Sequence, residues 1–177
     1  MFTTDTVQRL SPVTTRRLQA PSVARCGTEI TARHRTGPDD CVHSAGSGAQ
    51  WADKPPVIAS YAVIRWCEEL CMIALLDAMP EGYCSLGVEQ RLSHLGPIAV
   101  GSEIVITARC VRARGRFSRW EVVVRDCHEL VGQGHMDFVA VYRTRYEQRR
   151  LSPKYRALQQ NATSECLSGM EIVNRAQ

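Results

Sequence analysis

The sequence predicts a single α+β domain in which an antiparallel sheet wraps around one long apolar helix. The stretch from residue 58 to about residue 79 is apolar on nearly every side, which is typical of a helix buried in a core. Four runs with the alternating pattern of strands follow it, separated by Gly and Pro. One sheet packed against one helix is the simplest arrangement that buries both apolar faces.

Ahead of the helix, the pattern predicts one strand and one long loop. Residues 28–36, TEITARHRT, alternate well enough for a first strand. Residues 37–56 are rich in Gly, Pro, Asp and Ser, and a loop of ~20 residues inside a compact domain tends to be a lid or a binding loop. Prolines end this loop, and Ser60 is expected to cap the first helical turn.

The helix is expected to run to about Met79, because Pro80 and Gly82 are stop signals. The four strands after it are predicted over 85–94, 102–113, 119–129 and 132–146. These elements divide the chain into a flexible N-terminal segment over 1–22, a domain over 23–147 and a polar C-terminal tail over 148–177.

Length, composition and charge limit the number of domains and the kinds of partner that the chain can have. The 177 residues suit one domain, and an apolar content of 44% is enough for an ordinary core. The net charge is +4, and much of the basic excess lies in two clusters over 109–119 and 143–156. Both clusters could attract a polyanion such as a CoA phosphate or an acyl-carrier protein, or could be a solvated turn and tail. No nucleic-acid partner is expected, because aromatic residues make up only 6% and no recognition motif is present.

Eight cysteines show neither a CxxC pair nor zinc-ligand spacing, so no metal or redox cofactor is expected. The first fifteen residues contain no apolar segment typical of a secretory signal, and no run of about eighteen apolar residues predicts a membrane span. We therefore expect a cytoplasmic protein with reduced thiols and no membrane association.

The apolar helix carries two acidic residues in positions where carboxylates are costly to bury. The neighbours of Glu68 and Glu69 at helical spacing are mostly apolar, and Arg65 is spaced to pair with either of them. A desolvated carboxylate has a raised pKa that suits a base or a nucleophile, although both acids could equally be structural ion pairs. Periodicity does not choose between them.

Further along, His94 shares one face of the predicted strand with Val88, Gln90 and Leu92. An imidazole on such a face is either a satisfied core residue or a general acid–base. Gly87, in a predicted turn formed by SLG at 85–87, either allows close approach of strand and helix or offers its backbone N–H to an oxyanion.

Residues 26–147 resemble the fluoroacetyl-CoA thioesterase family of hot-dog proteins. The motifs that carry the resemblance are PPVIAS with its hydroxyl, a Glu eight residues later in E-x-x-C, the SLG triplet, and a His seven residues after its glycine. The stretches GPIAVGSEIVITARCVRARGRFSRWEVVVRD and GQGHMDFVAV also look like that family. The resemblance implies a hot-dog fold, a homodimer with its site near the interface, and hydrolysis of an acyl thioester on CoA or a carrier protein.

On this resemblance the acid of the site is Glu68, three residues before Cys71. Glu68 would attack the carbonyl or activate water, and His94 would move protons. Ser60 would orient the carboxylate, and Gly87 would help hold the oxyanion.

The resemblance also places substrate recognition in the loop before the helix. The family has aromatic lid residues there; Trp51 matches one, whereas Lys54 stands where another aromatic is expected. Trp51 either covers the site or pins the loop, and Lys54 either marks an anionic group at the mouth or is a surface lysine. Serine also replaces the family's threonine at Ser60. Fluoroacetyl-CoA itself is therefore not the expected substrate.

Three other functions stay open from the sequence. Cys67, Cys71 or Cys84 could pair with a histidine as the nucleophile. Lys54 or Arg65 could hold an amino-acid carboxylate, as in relatives of similar fold that add an amine such as glycine to an unsaturated acyl thioester. A non-catalytic acyl-binding protein would keep the fold without using Glu68.

Overall fold

Five strands form one antiparallel sheet, as predicted. The computed structural model describes residues 23–46 and 48–161, so the N-terminal segment over 1–22 lies outside the described residues. The strands are β1 (Glu29–Arg35), β2 (Tyr83–His94), β3 (Glu103–Arg114), β4 (Phe117–Arg125) and β5 (Leu130–Tyr142). Their order in the sheet is β1-β3-β4-β5-β2.

Each predicted strand is present, with its ends displaced by at most four residues. The ends of β4 and β5 show the largest displacement: β4 stops at Arg125 instead of running to residue 129, and β5 stops at Tyr142 instead of running to residue 146. Asp126 causes the early stop of β4, because its carboxylate accepts hydrogen bonds of 2.8 Å from the backbone N–H groups of His128 and Glu129. Those bonds close a turn and also lower the pKa of Asp126.

The central helix is α2 (Ser60–Leu76), which ends before the expected Met79. The backbone N–H groups of Ala78 and Met79 bond to carbonyls three residues back, so the chain tightens into turns ahead of Pro80. The helix packs on the sheet with residues at three- and four-residue spacing: Ala62, Val63, Trp66, Cys67, Leu70, Cys71 and Leu75. From the sheet, β3, β4 and β5 contribute the core residues Ile104, Ile106, Trp120, Val122, Met136 and Phe138.

The expectation of a helix buried on all sides is wrong, because the side of α2 that points away from the sheet is exposed. Tyr61, Ile73 and Leu76 are 50%, 48% and 63% exposed. They form a stripe with Glu69 because their spacing keeps them on one side of the helix. The described residues therefore cover only one face of the helix.

The loop before the central helix and the stretch after β5 contain more helix than the sequence pattern predicts. The predicted loop holds two 3-10 turns, Pro38–Asp40 and Val42–Ala45, and the short helix α1 (Ala49–Ala52). The stretch after β5 is helical rather than irregular, with α3 (Arg143–Tyr146), a π-helical turn (Glu147–Leu151) and α4 (Ser152–Asn161). The expected polar tail thus includes a mostly exposed helical segment as far as residue 161, and 162–177 lie outside the described residues.

Both β1 and β2 are edge strands of the sheet. Each leaves one row of backbone donors and acceptors without a strand partner in the described part of the chain. No helix among the described residues is long and apolar enough to cross a membrane.

Candidate active site

Glu68 lies on the side of α2 that faces β2, and Gln90 holds its carboxylate there. Nε2 of Gln90 donates a hydrogen bond of 3.3 Å to Oε1 of Glu68. A Cβ atom at Gly87 would overlap the same oxygen, so glycine allows the carboxylate to lie against the strand backbone. The half-buried Glu68 thus faces the strand, whereas Glu69 is exposed.

The cation expected beside these acids is elsewhere. Arg65 pairs with Asp40, with Nη2 3.1 Å from Oδ1, and not with Glu68 or Glu69. Helical spacing suggested that Arg65 pairs with Glu68 or Glu69. The fold instead brings Asp40 from the preceding loop into contact with Arg65.

Asp40 supports the start of the helix, although no sequence motif marks it. Its Oδ2 accepts a hydrogen bond of 3.0 Å from the N–H of Gly37 and lies 4.0 Å from Nε2 of His34. Its backbone oxygen accepts a hydrogen bond of 2.8 Å from the N–H of Ala59. Together with the ion pair to Arg65, these contacts fasten the start of the loop to the first turn of α2. Only its position early in a long loop before the helix could have drawn attention to it.

Ser60 and His94 form the second pair of the site. Oγ of Ser60 lies 3.1 Å from Nδ1 of His94, within hydrogen-bond distance. Ser60 does not cap the helix, which corrects that expectation: Ala59 is the N-cap residue and no side chain caps the turn. The serine hydroxyl is therefore left to the imidazole.

A cavity of about 420 Å³ opens beside this second pair. Its lining is mainly apolar and comes from the loop, the start of α2 and the segment after β2: Val42, Val57, Ile58, Ala59, Ser60, His94, Leu95, Gly96 and Pro97. A space of this size and polarity suits a small acyl group next to a hydroxyl and an imidazole.

The two pairs lie apart from each other in the structure. Ser60 and Glu68 are eight residues apart on α2, about 12 Å along the axis of an α-helix. Gln90 and His94 are four residues apart on β2, about 13 Å along a strand. Among residues 23–46 and 48–161, no hydrogen bond or ion pair joins Glu68 to Ser60 or His94.

Gly87 lies inside β2 rather than in the turn that the SLG pattern suggested. The pairing of β2 with β5 shifts register between Gly87 and Glu89, which makes a β-bulge with Val88 as the extra residue. The bulge preserves the predicted helix-facing row of Gln90, Leu92 and His94. It removes Val88 from that row, and Val88 is 55% exposed.

Trp51 and Lys54 contact each other rather than the two pairs. Nζ of Lys54 lies 5.3 Å from the centroid of the Trp51 ring, a cation–π contact. The backbone oxygen of Lys54 lies 2.6 Å from Nε2 of His43, and the indole covers Gly46 so closely that a Cβ there would overlap it. These contacts pin the loop to itself.

Two of the candidate cysteine nucleophiles are poorly suited to that role. Burial raises the pKa of Cys67 to about 12. Burial also raises the pKa of Cys71 to about 12, with the nearby Cys67 and Glu68 adding to the effect. A thiol with such a pKa is protonated at neutral pH and is a weak nucleophile. Cys84 is half-buried on β2.

Ligand-type side chains also meet on the other face of the sheet. Glu89, His135 and Asp137 bring their donor atoms within 4.8 Å of one another. Two arginines already pair with the acids of this group. Arg119 donates hydrogen bonds of 2.7 and 2.6 Å to Asp137 and lies 3.7 Å from Glu89, and Arg91 lies 3.3 Å from Glu89.

Comparison with known proteins agrees with this architecture. The family model FlK, described as fluoroacetyl-CoA-specific thioesterase, matches residues 38–144. No curated protein matches the sequence.

Solved structures of similar fold cover most of the chain. A structure of the fluoroacetyl-CoA thioesterase FlK is 22% identical, with a TM-score of 0.66 over 75% of this chain and 96% of that one. A hot-dog-like protein from Thermanaerovibrio acidaminovorans is 21% identical, with a TM-score of 0.65 over 74% and 93%. A thioesterase superfamily member from Thermus thermophilus is 20% identical, with a TM-score of 0.66 over 75% and 96%. These likenesses confirm the hot-dog fold.

Proposed function

Because the chain belongs to the family of fluoroacetyl-CoA-specific thioesterases, we propose that it hydrolyses an acyl thioester of CoA or of a carrier protein at Ser60, Glu68, Gly87 and His94. The observation that carries the proposal is the carboxylate of Glu68 lying against β2 at Gly87. A carboxylate held at a strand backbone has a nucleophilic or basic oxygen close to N–H groups that can stabilise an oxyanion.

Glu68 acts on the thioester carbonyl in one of two ways. As a nucleophile it forms an acyl anhydride and expels the thiolate, and water then hydrolyses the anhydride. As a general base it takes a proton from the water that attacks the carbonyl. In both routes the C–S bond breaks, one water is consumed, and a carboxylate and a thiol are released.

His94 supplies the proton that the leaving thiolate needs. The hydroxyl of Ser60, 3.1 Å from Nδ1, fixes the orientation of the imidazole and leaves Nε2 to face the substrate. The backbone around Gly87 accommodates the negative charge on the carbonyl oxygen, because the bulge there leaves Val88 outside the ladder.

The distance between the two pairs supports a site shared by two protomers. We expect a homodimer in which β2 pairs with its own copy, because β2 is an edge strand. In a dimer whose β2 strands pair antiparallel about Leu92, His94 of the partner subunit would lie opposite Gln90, which holds Glu68. Residues opposite each other share a face, so His94 of the partner subunit would then meet Glu68 on the helix side.

Addition of an amine before hydrolysis is the alternative from another reaction class. It would need a free cation for the carboxylate of the amine. Lys54 lies over Trp51 and Arg65 is paired with Asp40, so both of the cations considered for that role are already engaged. These contacts favour simple hydrolysis.

The test is thiol release from a panel of acyl-CoA and acyl-carrier-protein thioesters, together with product analysis of a crotonyl thioester plus glycine. We expect free thiol and free acid without an amine adduct. An amine adduct would show that the reaction is addition rather than simple hydrolysis. If no thioester releases thiol, acyl binding is the only remaining function of the three.

A further inference from the structure

A cavity of about 470 Å³ lies where the end of β5 continues into the helical segment that follows it. Its lining consists of four arginines, three tyrosines and one valine: Arg116, Arg145, Arg149, Arg150, Tyr83, Tyr142, Tyr146 and Val141. Strand pairing brings these places together, because Tyr83 at the start of β2 lies opposite Tyr142 at the end of β5. The N–H of Arg143 also donates a hydrogen bond of 2.8 Å to the carbonyl of Gly82, which fixes the start of the helical segment beside β2.

The four arginines of this cavity, which we call the basic groove, are not neutralised. All four are exposed, and Arg116 reaches the groove from the turn between β3 and β4. Within residues 23–46 and 48–161, no carboxylate lies within 4.0 Å of any of their guanidinium groups. Cations that converge without acids repel one another, and an anionic partner relieves that repulsion.

The positive charge continues beyond the basic groove along the helical segment. Residues 143–156 carry six cations and a single acid: Arg143, Arg145, Arg149, Arg150, Lys154, Arg156 and Glu147. The segment is mostly exposed, and fourteen helical residues extend about 20 Å at 1.5 Å per residue. A charged stripe of this length is longer than a single phosphate group requires and has the length of a helix on another protein.

We propose that the basic groove and residues 143–156 dock the acidic surface of an acyl-carrier protein, whose phosphopantetheine arm delivers the thioester to Glu68. Carboxylates spread over a helix of the carrier protein match an extended row of cations, and complementary charge speeds the encounter and orients the partner. The inference rests on the proposed function, and it selects a carrier protein over CoA as the donor of the acyl group.

The position of the basic groove suits an arm that ends at Glu68. Tyr83 lines the groove, and Gly87, which lies against the carboxylate, is four residues further along the same strand. Residues four apart on a strand share a face, so both lie on the helix side, about 13 Å apart. The two amide-linked units and terminal thiol of a phosphopantetheine arm are long enough for this distance.

The strand pairing expected for the dimer leaves this path open. With the β2 strands paired about Leu92, His94 of the partner subunit, the last residue of its strand, would lie opposite Gln90. The edge of β2 from Tyr83 to Gly87 would then remain outside the pairing. The arm therefore needs no part of the edge that the two subunits would share.

The first experiment presents one acyl group on an acidic acyl-carrier protein, on CoA and on pantetheine. The wild type is expected to have the lowest KM for the carrier-protein ester, and this KM should rise with added NaCl because salt screens exposed charges. Arg149→Glu and Arg150→Glu should each raise it about tenfold or more without changing kcat or the KM for the pantetheine ester. Arg125→Glu reverses an exposed arginine at the far end of β4 and should change none of these values.

Calorimetry with the holo-carrier protein, whose arm ends in a free thiol, tests docking without catalysis. We expect the wild type and Arg125→Glu to bind it, and Arg149→Glu and Arg150→Glu to bind it about tenfold more weakly or worse. The kcat of each variant on the pantetheine ester shows that its fold and active site are intact.

Three results would overturn the inference: unchanged carrier-protein binding in the groove variants, hydrolysis of the CoA ester but not of the carrier-protein ester, or an equal rise of KM for both esters. The last result would mean that the groove recognises a phosphate and not a protein surface. Hydrolysis of the pantetheine ester without any carrier-protein binding would refute the docking alone. Binding of the holo-carrier protein without thiol release from any ester would instead refute the proposed function.

Discussion

Oγ of Ser60 lies 3.1 Å from Nδ1 of His94, so the first residue of α2 and the last residue of β2 meet side chain to side chain. The contact therefore joins the two ends of the stretch of chain that runs from the start of α2 to the end of β2. It exists because α2 and β2 run in opposite directions, which brings the start of the helix beside the end of the strand.

Removing this hydroxyl should weaken catalysis moderately. Ser60→Ala is expected to lower kcat roughly 2- to 10-fold, the equivalent of one hydrogen bond that orients the imidazole. Ser60→Thr keeps the hydroxyl and should retain most of the activity. Steady-state kinetics on the best acyl thioester measures both, and equal losses in the two variants would show that the hydroxyl does not orient His94.

Neutralising Glu68 should have a much larger effect. Glu68→Gln is expected to lower kcat at least ~10²-fold, because the amide can act neither as a base nor as a nucleophile. Glu69→Gln is the matched control on the exposed side of α2 and should be nearly as active as the wild type. Similar activity of all three proteins would exclude Glu68 from the chemistry.

The shared site can be tested by mixing two inactive variants. If Glu68 works with His94 of the partner subunit, heterodimers of Glu68→Gln and His94→Ala contain one intact site. Random reassociation after denaturation should then restore about one quarter of wild-type activity, since half of the dimers are mixed and each has one intact site. If the whole site lies within one protomer, mixing the variants restores no activity. A monomeric protein in light scattering would also contradict a shared site.

A methyl group at residue 87 should displace the carboxylate. Gly87→Ala places a Cβ against Oε1 of Glu68 and Nε2 of Gln90, which are ends of flexible side chains. We expect kcat to fall between about 10- and 100-fold with little change in the melting temperature, because the side chains can move but lose their alignment. Gly132→Ala on β5 is the control, since its Cβ would make only ordinary contacts at 3.6 Å. Full activity of Gly87→Ala would argue against the placement of Glu68 at β2.

The buried thiols should not react. With the pKa values of Cys67 and Cys71 near 12, both are protonated at neutral pH, and neither is solvent-accessible. Iodoacetamide should modify the exposed Cys26 and Cys127 in the native protein and leave Cys67 and Cys71 unmodified, as read by peptide mass spectrometry. Thioester hydrolysis should survive this treatment, and its loss with labelling of Cys71 would revive a cysteine nucleophile.

Local patterns in the sequence were sufficient for the order of the elements and the wrapping of a sheet around a helix. Alternation and helical spacing follow from backbone geometry, which is a local property. The residue-to-residue resemblance also selected Glu68 over Glu69, and in the structure Glu68 is the acid that faces β2 while Glu69 is exposed. Element ends were less predictable, because turns such as that at Asp126 depend on individual side-chain hydrogen bonds.

Only the tertiary structure decided the partners of the site residues. Gln90 contacts Glu68 because the bulge in β2 changes which side chains of that strand face the helix. Asp40 pairs with Arg65 because the loop folds back over the start of α2. These contacts join residues 22 and 25 positions apart, a separation that no helical or strand period encodes. By itself the sequence determined which residues are available for chemistry; the packing of helix on strand decided that Ser60 with His94 and Glu68 with Gln90 are separate pairs.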